Sequence, residues 1–142
     1  MRKILLGLAI AALLVIPISG HAQADGPIIR TQNMQVSATA VGNGNSLDVG
    51  QAATATVQYV GGAGVITIEA SNGGGVWTAT GCYPVGILTV ATTFTASTTP
   101  GMARCNVAGY ALLRARISTY TSGSISVTGM STSLPAFAAP GF

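Results

Sequence analysis

The sequence predicts an all-β protein, an antiparallel β-sandwich or jelly-roll-like fold of seven to nine short strands, preceded by a signal-peptide helix. Three observations lead to this class. After residue 24, Thr, Val, Ile and Tyr alternate with polar residues, which is the two-residue period of half-buried strands. Clusters of Gly, Asn and Ser separate these stretches. No later stretch keeps a helical period over three turns, so packed antiparallel sheets are favoured.

The first element is an export signal at residues 1–24. Arg2 and Lys3 form a basic start, an apolar run extends from residue 4 to residue 18, and the small residues that end at Ala24 match an Ala-x-Ala cleavage site. The apolar run is shorter than the roughly 20 residues of a transmembrane helix. An uncleaved membrane anchor is the alternative. Cleavage after Ala24 predicts an exported protein, either extracellular or periplasmic.

Charge is scarce, and removal of the signal makes it scarcer. Charged residues make up 6% of the chain, and its formal net charge is +3. The only lysine and the only histidine lie in the signal, so the mature chain keeps four arginines and three carboxylates. Without His or Lys, a Ser-His-Asp site, a Cys-His site and a Schiff-base lysine are excluded in the mature chain. This composition predicts a protein that is not an enzyme and needs no cofactor, and a basic pI alone does not imply a nucleic-acid partner.

The predicted strands follow one another at short intervals through a sandwich domain at residues 25–130. A loose tail with two prolines follows at 131–142. The strand candidates are, in chain order, 34–41, 47–49, 53–60, 65–71, 76–78, 87–94, 102–107, 110–119 and 125–129. The predicted turns between them are rich in Gly, Asn and Ser and comprise 42–46, 61–64, 71–75 and 121–123.

Cys82 and Cys105 are the only cysteines of the chain. An even pair in an exported protein predicts one disulfide. This bridge would close a loop of about 24 residues and contribute roughly 3 kcal/mol to stability. A redox pair or a pair of metal ligands is the alternative, but the chain has no Cys-x-x-Cys motif and the mature part has no His to complete a zinc site.

The carboxylates offer one further route to catalysis. A small secreted hydrolase of the glycosidase type needs two carboxylates that flank one bond, and Asp48 with Glu69 is the available pair. The alternation instead predicts Glu69 on a solvated strand face and Asp48 in a short strand or turn. Asn43, Asn45 and Asp48 could supply oxygen ligands to calcium, but Asn-Gly repeats are also typical of tight turns, so no metal site is predicted.

The arginines supply the first part of a candidate ligand-contact face. Arg114 and Arg116 are two residues apart, so a strand would project both from the same face. Together with Arg104 they would form a small basic patch for an anionic glycan or a phosphate. The alternative is an outward strand face on which these arginines pair across the sheet with Glu69.

The aromatic residues Trp77 and Tyr120 complete the candidate face, because exposed aromatic rings can stack on sugars. A lone Trp in a β-sandwich more often lies in the core, where it buries a large apolar area. We therefore expect Trp77 in the core.

Two stretches carry a resemblance to a known family. The first is VITIEASNGG at residues 65–74, followed by Trp77, and the second is NVAGY at 106–110, which continues through RARI at 114–117 to YTSGSISV at 120–127. Together these stretches resemble small β-sandwich modules of tailed-phage virion proteins. The resemblance implies a non-catalytic tail, fibre or decoration module that assembles with other virion subunits, and sometimes one that touches host glycans.

The sequence thus leads to two hypotheses about function. The first is a non-catalytic structural or adhesive module, a virion-associated phage structural protein whose partners are other virion or surface protein subunits. The second is a secreted bacterial carbohydrate-binding or surface-adhesion protein. Neither hypothesis includes a nucleic-acid partner, or a membrane span after the signal is cleaved.

Overall fold

The computed structural model describes residues 27–133, so the predicted signal peptide and residues 134–142 of the predicted tail lie outside the described residues. Within 27–133 no helix is long and apolar enough to cross a membrane. The described chain forms ten strands, which are β1 Ile29–Ala38, β2 Gly42–Asp48, β3 Thr54–Val60, β4 Ala63–Ser71, β5 Thr78–Ala79, β6 Cys82–Pro84, β7 Thr93–Ala96, β8 Gly101–Asn106, β9 Leu112–Ser122 and β10 Ile125–Thr132.

The strands form two antiparallel sheets. Sheet A has the order β1-β10-β3-β8-β6, and sheet B has the order β2-β9-β4-β5, with β7 also paired to β4. The predicted fold class is therefore confirmed. The strand number exceeds the predicted seven to nine because β6 has no predicted counterpart: it is only three residues long, which is too short to show an alternating pattern.

The hydrophobic core lies between the two sheets. Both sheets contribute inward-facing residues at every second position, as the alternation predicts. From β9 these are Leu113, Ala115 and Ile117, all nearly inaccessible to solvent. On β3 the buried Tyr59 lies opposite Gly101 of β8, and its ring covers the space that a Cβ atom at residue 101 would occupy. Gly101 therefore allows the close packing of this aromatic residue.

The two ends of the described chain meet at one edge of sheet A. Strand β1 pairs with β10 from Ile29 opposite Thr132 onward. The Ile28 amide donates to Ser133 Oγ at 3.0 Å, and the Ser133 amide donates to the Ile28 carbonyl at 3.1 Å. Strand β10 thus continues two residues past the expected domain boundary at 130.

The Gly-Asn run at 42–46 is a strand and not the predicted turn. It forms most of β2, which pairs with β9 across an irregularity between Asn43 and Ser46. A Cβ atom at Gly44 would lie 2.6 Å from the carbonyl oxygen of Ala115, so only glycine allows the backbones to approach this closely. The run therefore serves close strand packing, which the sequence does not distinguish from turn formation.

Candidate functional site

Arg114 and Arg116 project together from the outer face of sheet B, because their neighbours on β9 point into the core. Glu69 lies on β4 directly opposite Arg114. Arg114 Nε donates to Glu69 Oε2 at 2.8 Å, and Arg114 Nη2 lies 2.8 Å from the same oxygen. Arg116 Nε donates to Glu69 Oε1 at 2.8 Å. The arginines thus pair across the sheet with Glu69, which is the alternative that the sequence offered to a basic ligand patch.

Glu69 is buried, which corrects the expectation of a solvated strand face. Only 8% of the residue is exposed, and both carboxylate oxygens accept bonds from arginines. Strand β4 lies between β9 on one side and β5 and β7 on the other. This interior position, together with the two long arginine side chains, removes Glu69 from solvent, and a buried carboxylate requires such partners.

Trp77 lies outside the core, which corrects the second expectation. It is half-buried in the segment between the glycine-rich turn and β5. The Arg114 guanidinium carbon lies 4.1 Å from the centroid of a Trp77 ring, a cation–π distance. Trp77 therefore belongs to the same outer-face group as the two arginines, and Arg114 provides the packing partner that we expected the core to provide. We call Glu69, Trp77, Arg114 and Arg116 the arginine cluster.

Arg104 and Tyr120 lie elsewhere, so the five-residue face expected from the sequence is divided. Arg104 is an exposed residue of β8 in sheet A, where it lines a shallow pocket of about 370 Å³ with Tyr83. Tyr120 packs against the core, and its hydroxyl donates to the Gly123 carbonyl at 2.6 Å. The pairing of β9 with β4 is irregular between Ile117 and Thr119, which offsets the alternation before Tyr120.

The carboxylates Asp48 and Glu69 are held by different arginines. Asp48 Oδ1 lies 2.6 Å from Arg30 Nη1 in a solvent-accessible pair and also accepts the Gly50 amide at 3.0 Å. No group of three or more His, Cys, Asp or Glu side chains that could hold a metal ion occurs within residues 27–133. Asn45 Nδ2 donates to the Asn33 carbonyl at 3.2 Å, which ties this side chain to the neighbouring strand β1.

The predicted disulfide between Cys82 and Cys105 is confirmed. The two residues face each other on β6 and β8 and are fully buried. Cys82 and Ala91 also exchange two backbone hydrogen bonds of 2.8 Å. The disulfide and this backbone pair fix both ends of the intervening segment, residues 83–90, which we call the apolar loop.

The apolar loop is the feature that the sequence interpretation missed. Residues 87–94 were expected to form a strand, but only Thr93 and Phe94 of this range belong to one, β7. The loop turns at Gly86, where φ is +84°, and its large side chains point into solvent. The exposed fractions are Tyr83 46%, Val85 59%, Ile87 54%, Leu88 89% and Val90 51%. One sequence feature accompanies this exposed apolar loop: no charged residue occurs between Glu69 and Arg104.

Comparisons with solved structures identify proteins that share this fold. The sequence matches no family model and no curated protein. The SPBc2 prophage-derived protein YomS aligns with a TM-score of 0.67 and 18% identity over 75% of this chain and 94% of that chain. The PBSX exported protein XepA aligns with a TM-score of 0.70 and 17% identity over 93% of this chain and 47% of that chain. This chain thus spans nearly all of YomS and about half of XepA, and it shares the β-sandwich fold of both proteins.

Proposed function

We propose that this protein is an exported, non-catalytic β-sandwich module that associates with phage particles as a structural or adhesive component. The observation that carries this proposal is the fold shared with a prophage-derived protein over 94% of that protein's length. The resemblance of the stretches at residues 65–77 and 106–127 to tailed-phage virion modules supports the same function. Export is supported by the description of XepA as exported and by the Cys82–Cys105 disulfide, since such bonds persist in oxidising compartments.

The non-catalytic part of the proposal is supported by how the carboxylates are used. Asp48 is paired with Arg30, and both oxygens of Glu69 accept bonds from arginines. A general base needs a free lone pair that can reach the substrate proton. The buried Glu69 would first have to leave its arginines before it could act as a base.

The structural part of the proposal assigns the apolar loop as the contact with a neighbouring protein subunit. Contiguous exposed apolar residues on a soluble domain mark interaction surfaces. The loop carries no charge, and Leu88 at 89% exposure is its most accessible side chain. Because the disulfide and the Cys82–Ala91 pair fix the loop ends, binding to an apolar groove on another subunit would cost little ordering entropy.

Mass spectrometry of purified particles from the encoding strain tests the proposal. After reduction of the disulfide, trypsin releases residues 105–114, which follow Arg104 and end at Arg114 and form a convenient diagnostic peptide. We expect this peptide in purified particles, and Leu88→Ser should reduce its amount. Val36→Ser is the matched control, because Val36 is also an exposed apolar residue, at 69%, but lies on β1. Presence in the culture supernatant with absence from particles would contradict particle association.

A secreted carbohydrate-binding or surface-adhesion protein is the second candidate function. The arginine cluster favours it, because the half-buried Trp77 packs against Arg114 and the more exposed Arg116 projects from the same strand face as Arg114. An aromatic ring beside hydrogen-bond donors is a suitable arrangement for a sugar. Binding on a glycan array that is lost in Trp77→Ala, in a protein absent from particles, would favour this candidate over the first.

A further inference from the structure

The arginine cluster carries an unbalanced positive charge on its exposed side. Two arginines share one carboxylate, so the cluster has a net charge of +1. The exposed fractions of the side chains are 10% for Glu69, 16% for Arg114 and 42% for Arg116. Since Glu69 and Arg114 are largely covered, Arg116 presents the surplus charge to solvent.

The Arg116 guanidinium is held in place with most of its donors free. Its Nε–H is bound to Glu69 Oε1 at 2.8 Å, and the described residues provide no partner for its two terminal nitrogens. A guanidinium has five N–H donors in one plane, and its fork matches a carboxylate or a phosphate. The Glu69 bond fixes this plane in advance, which lowers the entropy lost when an anion binds.

The residues in register with Arg116 across sheet B are neutral and polar. The register places Asn43 of β2, Arg116, Thr67 of β4 and Thr93 of β7 in one row across sheet B. Residues opposite one another on paired strands share a face. Thr67 is occupied by its hydrogen bond to Ser118 Oγ at 3.0 Å, whereas Asn43 and Thr93 are exposed. The row therefore offers an amide and a hydroxyl on either side of the charged fork.

From this arrangement we propose that Arg116, positioned by Glu69, binds the carboxylate or phosphate group of an anionic polysaccharide, and that Asn43 and Thr93 contact its hydroxyl groups. Glu69 is a positioning residue and does not touch the ligand. This inference rests on the adhesive part of the proposed function and names its ligand class.

Titration of the ¹⁵N-labelled protein tests the site directly. Three short oligomers are compared at low salt: tri-galacturonic acid, its neutral methyl ester and a glycerol-phosphate trimer. We expect a saturable shift of the Arg116 Nε–H signal with at least one anionic probe and none with the ester. Arg116→Gln should weaken binding about tenfold, the size expected for a charge-assisted bidentate contact. Arg116→Lys should weaken it several-fold, since it keeps the charge and loses the fork.

Arg104→Gln is the matched control, because Arg104 is an exposed arginine on the other sheet. Equal weakening by Arg104→Gln would indicate diffuse charge attraction and overturn the proposal, as would equal binding of the methyl ester or the lack of any Arg116 response at millimolar probe. A response to only one anionic probe supports the proposal and identifies the source of the anion. Failure of this titration with normal particle incorporation would refute only the ligand site, and absence from particles with normal titration would refute only particle association.

Discussion

Replacing Glu69 with Gln removes one negative charge from beneath two arginines while nearly preserving side-chain shape. The Gln carbonyl still accepts one hydrogen bond. Its amide group, however, faces the other arginine donor to donor. The two guanidinium groups also lose the charge that screens them from each other, so we expect Glu69→Gln to destabilise the fold.

The expected loss in the free energy of unfolding depends on how far each ion pair is buried from solvent. Arg114 is 16% exposed and has two 2.8 Å contacts with Glu69. Breaking a buried pair from one side costs about 3–5 kcal/mol, and the retained amide hydrogen bond favours the lower end. Arg116 is 42% exposed, and a pair of that exposure contributes about 1 kcal/mol or less. We expect a loss of about 3 kcal/mol, most of it from Arg114.

Urea unfolding followed by Trp77 fluorescence measures this loss. The slope of the free energy against urea should stay unchanged, because the fold is the same. Double-mutant cycles with Arg114→Gln and Arg116→Gln then separate the two pairs. A total loss below about 1 kcal/mol, or a larger coupling energy for Arg116 than for Arg114, would refute the reasoning from burial.

Asp48→Asn provides the matched control for this experiment. It also removes one carboxylate that is paired with an arginine, but Asp48 is 58% exposed. The Asn side-chain oxygen still accepts the Gly50 amide bond. We expect a loss of under about 1 kcal/mol, the range of exposed pairs. A loss equal to that of Glu69→Gln would mean that burial does not decide the contribution.

Three further predictions concern the core and its disulfide. Replacing Cys82 and Cys105 together with Ala should lower the free energy of unfolding by about 3 kcal/mol in urea, because the bridge spans 23 residues of sequence; an equal stability of the oxidised protein and the variant would contradict this. Gly101→Ala should lower the melting temperature through a clash with the Tyr59 ring, at a cost of about 1–3 kcal/mol, and an unchanged temperature would show that the ring moves aside. Burial raises the pKa of Tyr59 above 10.0, so its contribution to stability is complete below the unfolded pKa and is lost as pH rises through the higher folded pKa. Urea midpoints between about pH 8 and 11 should therefore decline less in Tyr59→Phe than in the parent protein, and an equal decline in both proteins would contradict this.

Much of the fold was predictable from the sequence because one face of most strands is buried. Leu113, Ala115 and Ile117 alternate with the arginines along β9, and burial of one set requires exposure of the other. The pairing of these arginines with Glu69 was predictable for the same reason. The alternation does not predict how deeply Glu69 is buried. Its burial depends on the strands on both sides of β4 and on the length of the arginine side chains.

The errors arise where tertiary contacts override local pattern. Trp77 packs on Arg114, a partner 37 positions away along the printed sequence that only the register of sheet B brings near. Ile87, Leu88 and Val90 have a composition typical of strands, but the Cys82–Ala91 backbone pair holds them in a loop. Arg104 lies apart from Arg114 and Arg116 because its strand β8 belongs to the other sheet, which the local pattern does not show.

The pairing of β1 with β10 places the entry and the exit of the domain side by side. The hydrogen bonds between Ile28 and Ser133 close this edge, so a polypeptide that enters the domain leaves it at nearly the same point. Such a unit can be inserted into a surface loop of another protein without separating the ends of that loop. The same closure slows folding, because the first strand pairs with the last one and this long-range contact carries a large loop-closure cost.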